Sequence, residues 1–234
     1  MTDSAPLEAF ADVEAMSRAA AARVVESARA AAAARGRFSL ALSDGRTPRR
    51  LYELLAEAEL PWDRVHFFWG DERCVPRGDA ASNYRLASET LLSKIPARPE
   101  NVHAMPCDPA APEAGAQAYE ETVRAFFHGS DASFDLVLLG LGPDGHTASL
   151  FPGEPALAEA SRWVAVSSGR SASPPVPRLT LTFPGLAAAR EALFLAAGAA
   201  KRALVDAAVA GGADFPAARV RPRGGVRWLW SEAE

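Results

Sequence analysis

Cysteine and lysine are scarce in this 234-residue chain, and each scarcity is informative. The two cysteines, Cys74 and Cys107, form no C-x-x-C pair and are too few for a disulfide framework or a zinc site. Such usage is typical of a reducing compartment, so we expect a cytoplasmic protein. Two of the 25 basic residues are lysines, Lys94 and Lys201, and the others are arginines. A lysine in this background suggests a position where a compact ammonium must reach an anion.

The chain also lacks a net positive charge. The formal net charge is -4, and no basic run exceeds a few residues. This balance gives no broad attraction to nucleic acid or to an anionic membrane. Acidic residues interrupt the N-terminal segment, which predicts neither a signal peptide nor a membrane span. We therefore expect a small-molecule partner, and a chain that is a monomer or a small homo-oligomer.

Apolar residues are plentiful, at 49% of the chain, and no linker or repeat divides it. We expect residues 1–234 to form a single α/β domain. Apolar runs predict strands at 38–42, 65–69, 101–105, 134–139, 163–166, 179–183, 192–196 and 226–230. Helical patterns fall between them, at 7–35, 47–59, 82–93, 112–128 and 199–210. This alternation is typical of a Rossmann-like, doubly wound, mainly parallel sheet with helices on both faces.

The most informative segment is FDLVLLGLGPDGHTASLFPG, at residues 134–153. It begins as a strand buried on both faces and then delivers Asp144 and His146 in a glycine-rich turn. In open α/β sheets ligands bind beyond the carboxyl ends of strands, and histidine is well suited to move a proton near neutral pH. A lone histidine could simply cap or pack the turn. The nearby aspartate and glycines favour a functional role.

The same turn reads GLGPDG and therefore matches the G-x-G-x-x-G pattern of dinucleotide sites. We reject that interpretation because Asp144 would set a carboxylate against a pyrophosphate. In addition, Pro152 and Gly153 would end any following helix after barely two turns, whereas a dinucleotide-binding unit needs a long helix.

Two other predicted strand ends carry polar residues. Residues 43–48, SDGRTP, could be a plain turn with Thr47 as N-cap and Pro48 as the first helical residue. Alternatively they form an anion site, in which Gly45 allows close backbone approach and Arg46 and Thr47 donate hydrogen bonds. Residues 71–73, Asp-Glu-Arg, could be a solvated charge cluster or a third part of the same site.

Taken in order, the motifs LSDGRTP, WGDERCVP, SNYRLASETLL, NVHAMP, GLGPDGHTASLFPG and RLTLTFPGLAAAREALFLAAGAAK resemble the 6-phosphogluconolactonase family across almost the whole chain. The resemblance implies hydrolysis of 6-phosphoglucono-δ-lactone to 6-phosphogluconate, the second step of the oxidative pentose phosphate pathway. It implies no metal and no organic cofactor. It also implies a Rossmann-like sheet with a sugar-phosphate site at the strand ends.

Carried onto matching positions, the resemblance makes His146 the general base, and Asp144 would orient its imidazole or shape the turn. Arg73 and Asp71 would contact the substrate's oxygens and sugar hydroxyls. The phosphate-binding residues would be Gly45, Arg46, Thr47, Lys201 and Arg178.

The chain departs from the family in the phosphate loop, which usually reads Leu-Ser-Gly-Gly-Ser-Thr-Pro. Asp44 stands at the first glycine and Arg46 at the serine. A carboxylate aimed at a phosphate would be unfavourable by on the order of 1 kcal/mol or more. We therefore expect Asp44 to turn away or to pair with an arginine.

Two alternatives remain. Glucosamine-6-phosphate deaminases or isomerases share the fold, but they have a glutamate five residues after the histidine, where this chain has Phe151. A non-catalytic sugar-phosphate-binding domain would need the cations but not the base. We assign no partners to the remaining histidines, His66, His103 and His128.

Overall fold

The computed structural model describes residues 5–128 and 133–234. Six strands form a parallel sheet: β1 (Leu7–Phe10), β2 (Phe38–Leu42), β3 (Val65–Trp69), β5 (Leu136–Gly140), β8 (Glu191–Ala197) and β9 (Val226–Ser231). Three others form an antiparallel sheet: β4 (Asp71–Arg73), β6 (Val164–Ser167) and β7 (Arg178–Leu181). The helices are α1 (Val13–Arg35), α2 (Arg46–Ala56), α3 (Asn83–Thr90), α4 (Pro112–Phe126), α5 (Phe183–Ala188) and α6 (Arg202–Ala210). The predicted Rossmann-like α/β class is confirmed.

The strand order places a crevice at the carboxyl ends of the central strands of the large sheet. The order is β1-β9-β8-β5-β2-β3. From β2 the chain goes outward to β3, then returns to the other side of β2 as β5 and continues outward through β8. The order thus reverses between β2 and β5, and in open sheets ligands bind at such a reversal, beyond the carboxyl ends of the strands. The loops that follow Leu42 and Gly140 meet there.

A polar clamp at the opposite end ties β2 to β5. The Asp135 carboxylate accepts hydrogen bonds from the backbone N–H and the hydroxyl of Ser39, at 2.8 and 2.9 Å. Arg35 and Arg190 pair with the same carboxylate at 2.8 and 3.3 Å. The carboxylate is only 10% exposed, and these partners compensate for its burial.

Local signals explain most element boundaries. Helix α1 begins after Asp12, whose side chain accepts a hydrogen bond from Ala15 N, and it ends at Gly36 with φ 76°. The strands predicted at 38–42 and 65–69 have those bounds in the structure. No helix among the described residues is long and apolar enough to span a bilayer.

Several predicted bounds differ from the structure, and three of the differences have a clear cause. The helix predicted at 7–35 starts only at Val13, because the residues before it pair with β9 as the edge strand β1. The strand predicted at 101–105 is absent, and a single bridge from Val102 to Phe67 stands in its place. The strand predicted at 179–183 ends at Leu181, because Thr182 caps helix α5.

The antiparallel sheet was not predicted. The β4 strand has the sequence Asp-Glu-Arg, which lacks any apolar alternation, and it is a strand only because β7 pairs with it. Asp71 lies opposite Thr180 and Arg73 opposite Arg178. Two arginines that are distant in sequence therefore stand side by side.

The two cysteines are joined as a disulfide, contrary to the expectation from their number. Cys74 directly follows β4, and Cys107 lies 33 residues later with its Cα 4.6 Å away. The intervening chain returns to β3, where His103 N donates a hydrogen bond to Phe67 O. This return brings the sulfurs together, and a count of cysteines contains no information about it.

The core beneath β8 and β9 generates a stability prediction. Phe194 is fully buried and its ring stacks on Trp228, with centroids 4.0 Å apart. We expect Phe194→Ala to lower the free energy of unfolding in urea by about 3–5 kcal/mol, through lost burial and a cavity. Phe194→Leu, which retains much of the volume, should lose about half as much. Equal small losses in both variants would contradict this packing.

Candidate active site

A pocket of about 290 Å³ lies at the strand-order reversal. Eight of the nine predicted site residues line it: Gly45, Arg46, Thr47, Asp71, Arg73, His146, Arg178 and Lys201. The exception is Asp144, which stands behind His146. The two sheets and the loops after β2, β5 and β8 thus bring together residues that span more than 150 positions of sequence.

Asp144 holds the imidazole of His146. Its Oδ1 lies 2.5 Å from His146 Nδ1 and also accepts the His146 backbone N–H at 3.1 Å. Burial alone would raise the pKa of Asp144, but these hydrogen bonds and the charge of the histidine outweigh it and lower that pKa. An anionic Asp144 favours the tautomer with hydrogen on Nδ1, so Nε2 keeps a free lone pair.

The turn around the imidazole depends on Gly142. Gly142 N donates to His146 O at 2.9 Å, and the ring rests against the Gly142 Cα. A Cβ at this position would overlap the ring atoms. The ring also contacts Phe151, with centroids 4.4 Å apart. The imidazole is therefore packed against both a glycine and an aromatic ring.

The structure supports rejecting a dinucleotide site. After β5 the chain forms turns and a four-residue 3₁₀ helix at Pro155–Ala158. No α-helix occurs in residues 141–182, all of which are described, so no long helix presents its N-terminus to a pyrophosphate at this loop.

The β2–α2 loop has the geometry of an anion site. Gly45 is the N-cap of α2, with φ 123°, and no described side chain caps the helix. The plain-turn alternative, with Thr47 as N-cap, was wrong, because Arg46 is already the first helical residue. Backbone N–H groups of the first turn and the helix dipole therefore face the pocket without an internal carboxylate or hydroxyl cap.

Asp44 pairs with an arginine, as expected. Its Oδ2 lies 2.5 Å from Nη2 of Arg73. The other terminal nitrogen of Arg73, Nη1, donates to Ala81 O at 2.9 Å and to Asn83 Oδ1 at 3.0 Å. The Nε atom is buried and has no hydrogen-bond partner within the described parts of the chain. Hydrogen bonds from Nη1 thus fix the position of the Arg73 side chain, and Asp44 neutralises its charge at Nη2.

The carboxylate of Asp71 is buried in the wall of the pocket. It is 6% exposed, with Oδ2 accepting from Ser149 Oγ at 2.5 Å and Oδ1 from Asn83 Nδ2 at 3.2 Å. Burial raises the pKa of Asp71, against the hydrogen bond from Ser149 and the charges of two arginines. Both oxygens are already engaged by the protein.

Asn83 was missed by the sequence reasoning. Its side chain accepts from Arg73 and donates to Asp71 O at 2.8 Å, so it links the two charged residues. Glu72 secures it from behind by accepting the backbone N–H groups of Asn83 and Tyr84, each at 2.8 Å. Burial raises the pKa of Glu72 to about 7 despite those bonds. Asn83 lies in the motif SNYRLASETLL that resembles the family, but an amide in a helical segment does not by itself indicate a role in a site.

Two further cations complete the pocket wall. Lys201 ends a 3₁₀ turn after β8, and burial lowers its pKa, opposed by the charge of Glu234. Glu234 also pairs with Arg46 at 2.9 Å, in a largely exposed position. Arg178 is 4% exposed; its Nη2 donates to Ser173 O and Pro174 O, while its buried Nε has no partner among the described residues.

The remaining histidines are not all without partners, contrary to our assignment. His66 Nδ1 and His103 Nε2 lie 3.3 Å apart in stacked rings. Burial lowers the pKa of both imidazoles, to about 4 for His66. Their place beside Phe68 and Phe126 makes them part of an aromatic cluster.

Within the described ranges no three His, Cys, Asp or Glu side chains converge in a way that could hold a metal ion.

Comparison with known proteins gives a consistent family. Residues 11–230 match the model of the glucosamine-6-phosphate isomerases/6-phosphogluconolactonase family. A 6-phosphogluconolactonase of Synechocystis is 44% identical, over 85% of this chain and 84% of that protein. One from Streptomyces coelicolor is 38% identical, over 98% and 92%. The crystal structure of 6-phosphogluconolactonase from Thermotoga maritima superposes with a TM-score of 0.87 at 31% identity, covering 97% of this chain and all of that one. The chain therefore belongs to the glucosamine-6-phosphate isomerase/6-phosphogluconolactonase family.

Proposed function

We propose that this chain is a lactonase that hydrolyses 6-phospho-D-glucono-1,5-lactone to 6-phospho-D-gluconate, the second step of the oxidative pentose phosphate pathway. The observation that carries the proposal is the His146–Asp144 pair, which opens onto a pocket with four cationic side chains. The names of relatives that are 38–44% identical support the same reaction.

His146 is the proposed general base. Its Nε2 takes a proton from water as the water oxygen attacks the lactone carbonyl carbon. The charge that develops on the carbonyl oxygen is stabilised by the one N–H of Arg73 Nη2 that Asp44 does not use. When the bond between the carbonyl carbon and the ring oxygen breaks, the imidazolium returns its proton to the ring oxygen. Asp144 stabilises that imidazolium and keeps Nε2 aimed at the pocket. We place Asp71 beside the sugar hydroxyls.

The phosphate of the substrate is proposed to lie against the start of α2. Gly45, Arg46 and Thr47 offer backbone and side-chain donors there. Lys201 and Arg178 add charge from two other directions. Local convergence of cations lets a chain of net charge -4 hold a dianion.

The proposed reaction uses no metal and no organic cofactor. A lactone is an activated ester, so a base, a positioned water and stabilisation of the oxyanion account for its hydrolysis. A phosphorylated sugar cannot readily cross the apolar interior of a bilayer, which is consistent with a cytoplasmic location. The proposed partner is therefore this small molecule and not a nucleic acid, with the chain acting as a monomer or small homo-oligomer.

Deamination of glucosamine 6-phosphate is less well supported. It requires a further acid near the imidazole, and the residue five positions beyond His146 is Phe151, which is 2% exposed and packed on the ring. The aromatic ring occupies the place where that acid would stand.

Purified protein should accelerate the decay of freshly made phosphorylated lactone. Unphosphorylated gluconolactone should be hydrolysed with a much higher KM, because the cationic wall then has no ligand. Acid release can be followed in a lightly buffered solution with a pH indicator. Release of ammonia from glucosamine 6-phosphate at a comparable rate would favour the deaminase, and unchanged lactone decay would favour a non-catalytic binding domain.

His146→Ala should lower kcat by about 10²- to 10⁴-fold with little change in KM, because proton transfer occurs only in the transition state. Steady-state kinetics on the phosphorylated lactone, corrected for spontaneous hydrolysis, measure the two constants separately.

Lys201→Ala is the contrasting variant for the same assay. It removes a charge proposed to contact a group that does not react, so it should chiefly raise KM. Near-normal kcat in folded His146→Ala would exclude the assigned base.

Gly142→Ala should displace the imidazole, because the added methyl overlaps the ring. We expect kcat to fall by about 10²-fold, the loss associated with misplacing a catalytic group by about 1 Å. Gly78→Ala is the matched control, since a Cβ there meets nothing within 4 Å and the backbone φ is not positive. Retained kcat in Gly142→Ala would show that the ring position is not critical.

A further inference from the structure

Asp44 stands where an anionic ligand would otherwise meet Arg73. Both residues line the pocket, and their side chains are only 22% and 17% exposed. An ion pair so enclosed is screened less by water and salt than a surface pair. Arg73 cannot swing away from Asp44 easily, because Ala81 O and Asn83 Oδ1 hold its Nη1.

The pairing leaves one edge of the guanidinium half-used. In arginine, Nε–H and one N–H of Nη2 point in the same direction and together match the two oxygens of a carboxylate. Asp44 contacts Nη2 with a single oxygen, Oδ2. Nε is buried and has no partner among the described residues. A two-point contact with another carboxylate on this edge requires that Asp44 first move.

Substrate and product of the proposed reaction differ at this point. The lactone carbonyl is neutral, whereas hydrolysis converts it to a carboxylate on the same carbon. In the proposed reaction that carboxylate forms beside Arg73. Without the counter-charge of Asp44, the guanidinium of Arg73 would attract this carboxylate more strongly and retain the product.

We propose that Asp44 is a specificity-determining residue that keeps the product carboxylate off Arg73 and so limits product inhibition. This inference rests on the proposed function. Asp44 acts as an internal counterion: it neutralises Arg73 toward a charged carboxylate and leaves the phosphate contacts of α2, Lys201 and Arg178 in place.

Asp44→Asn removes the charge and keeps the shape. The inhibition constant of 6-phosphogluconate should fall by about tenfold, the gain expected when a carboxylate forms new charge-assisted hydrogen bonds. Glucose 6-phosphate has the phosphate but no carboxylate, and its inhibition constant should change by less than about twofold. Progress curves of lactone hydrolysis should therefore slow earlier in the variant, as product accumulates.

Asp63→Asn is the control for overall charge, because Asp63 is exposed and lies just before β3, at the other end of the sheet. Thermal unfolding verifies that each variant is folded, and Asp44→Ser is the second variant if Asp44→Asn is not. An unchanged inhibition constant for 6-phosphogluconate overturns the proposal. Equal tightening of both inhibitors also overturns it, since Asp44 would then repel the phosphate. Failure of the unaltered protein to hydrolyse the lactone would instead contradict the proposed function.

Discussion

The pairing of β2 with β5 is the interaction on which the site depends. The loop proposed to bind phosphate follows one strand and the Asp144–His146 turn follows the other, so a shift of one residue between them would move the proposed base away from that loop. The clamp of Ser39 and Asp135 at the far end opposes such a shift with two hydrogen bonds to one carboxylate. The Asp135 side chain is mostly buried, so a shift that left its carboxylate without partners would cost several kcal/mol.

Charge in the pocket is arranged in pairs and not as a uniform positive surface. Arg73 faces Asp44, Arg46 faces Glu234, and Asp71 lies near the two arginines of the antiparallel sheet. Asp44 thereby holds Arg73 in place before a ligand arrives, whereas the pair of Arg46 and Glu234 is largely exposed and holds Arg46 only weakly. An anion that binds must replace some of these internal partners, so its net gain is smaller than the count of cations suggests.

The pattern of neighbouring residues was sufficient to predict individual strands, helix ends and the turn that carries Asp144 and His146. Strands β2 and β3 are mainly apolar and were predicted at their observed bounds, and Gly36 marked the end of α1. Asp144 and His146 were found because acid and imidazole share one short turn. Partners that are distant in sequence escaped prediction, as with the polar strand β4, the pair Cys74–Cys107 and the bridging amide of Asn83. Their roles arise from tertiary contacts, which leave no periodic trace in the sequence.

The hydroxyl of Ser149 donates to Asp71 on the antiparallel sheet, and its backbone N–H donates to Thr180 Oγ1 on the same sheet, at 3.1 Å. Ser149 lies three residues after His146, so it joins the chain segment that carries the base to the sheet that carries Arg73 and Arg178. The candidate site thus draws residues from both sheets, and Ser149 is one of the points at which the two sheets are joined. A change at Ser149 would loosen the His146 segment and the small sheet together, so this short stretch of chain limits how far either sheet can vary independently of the other.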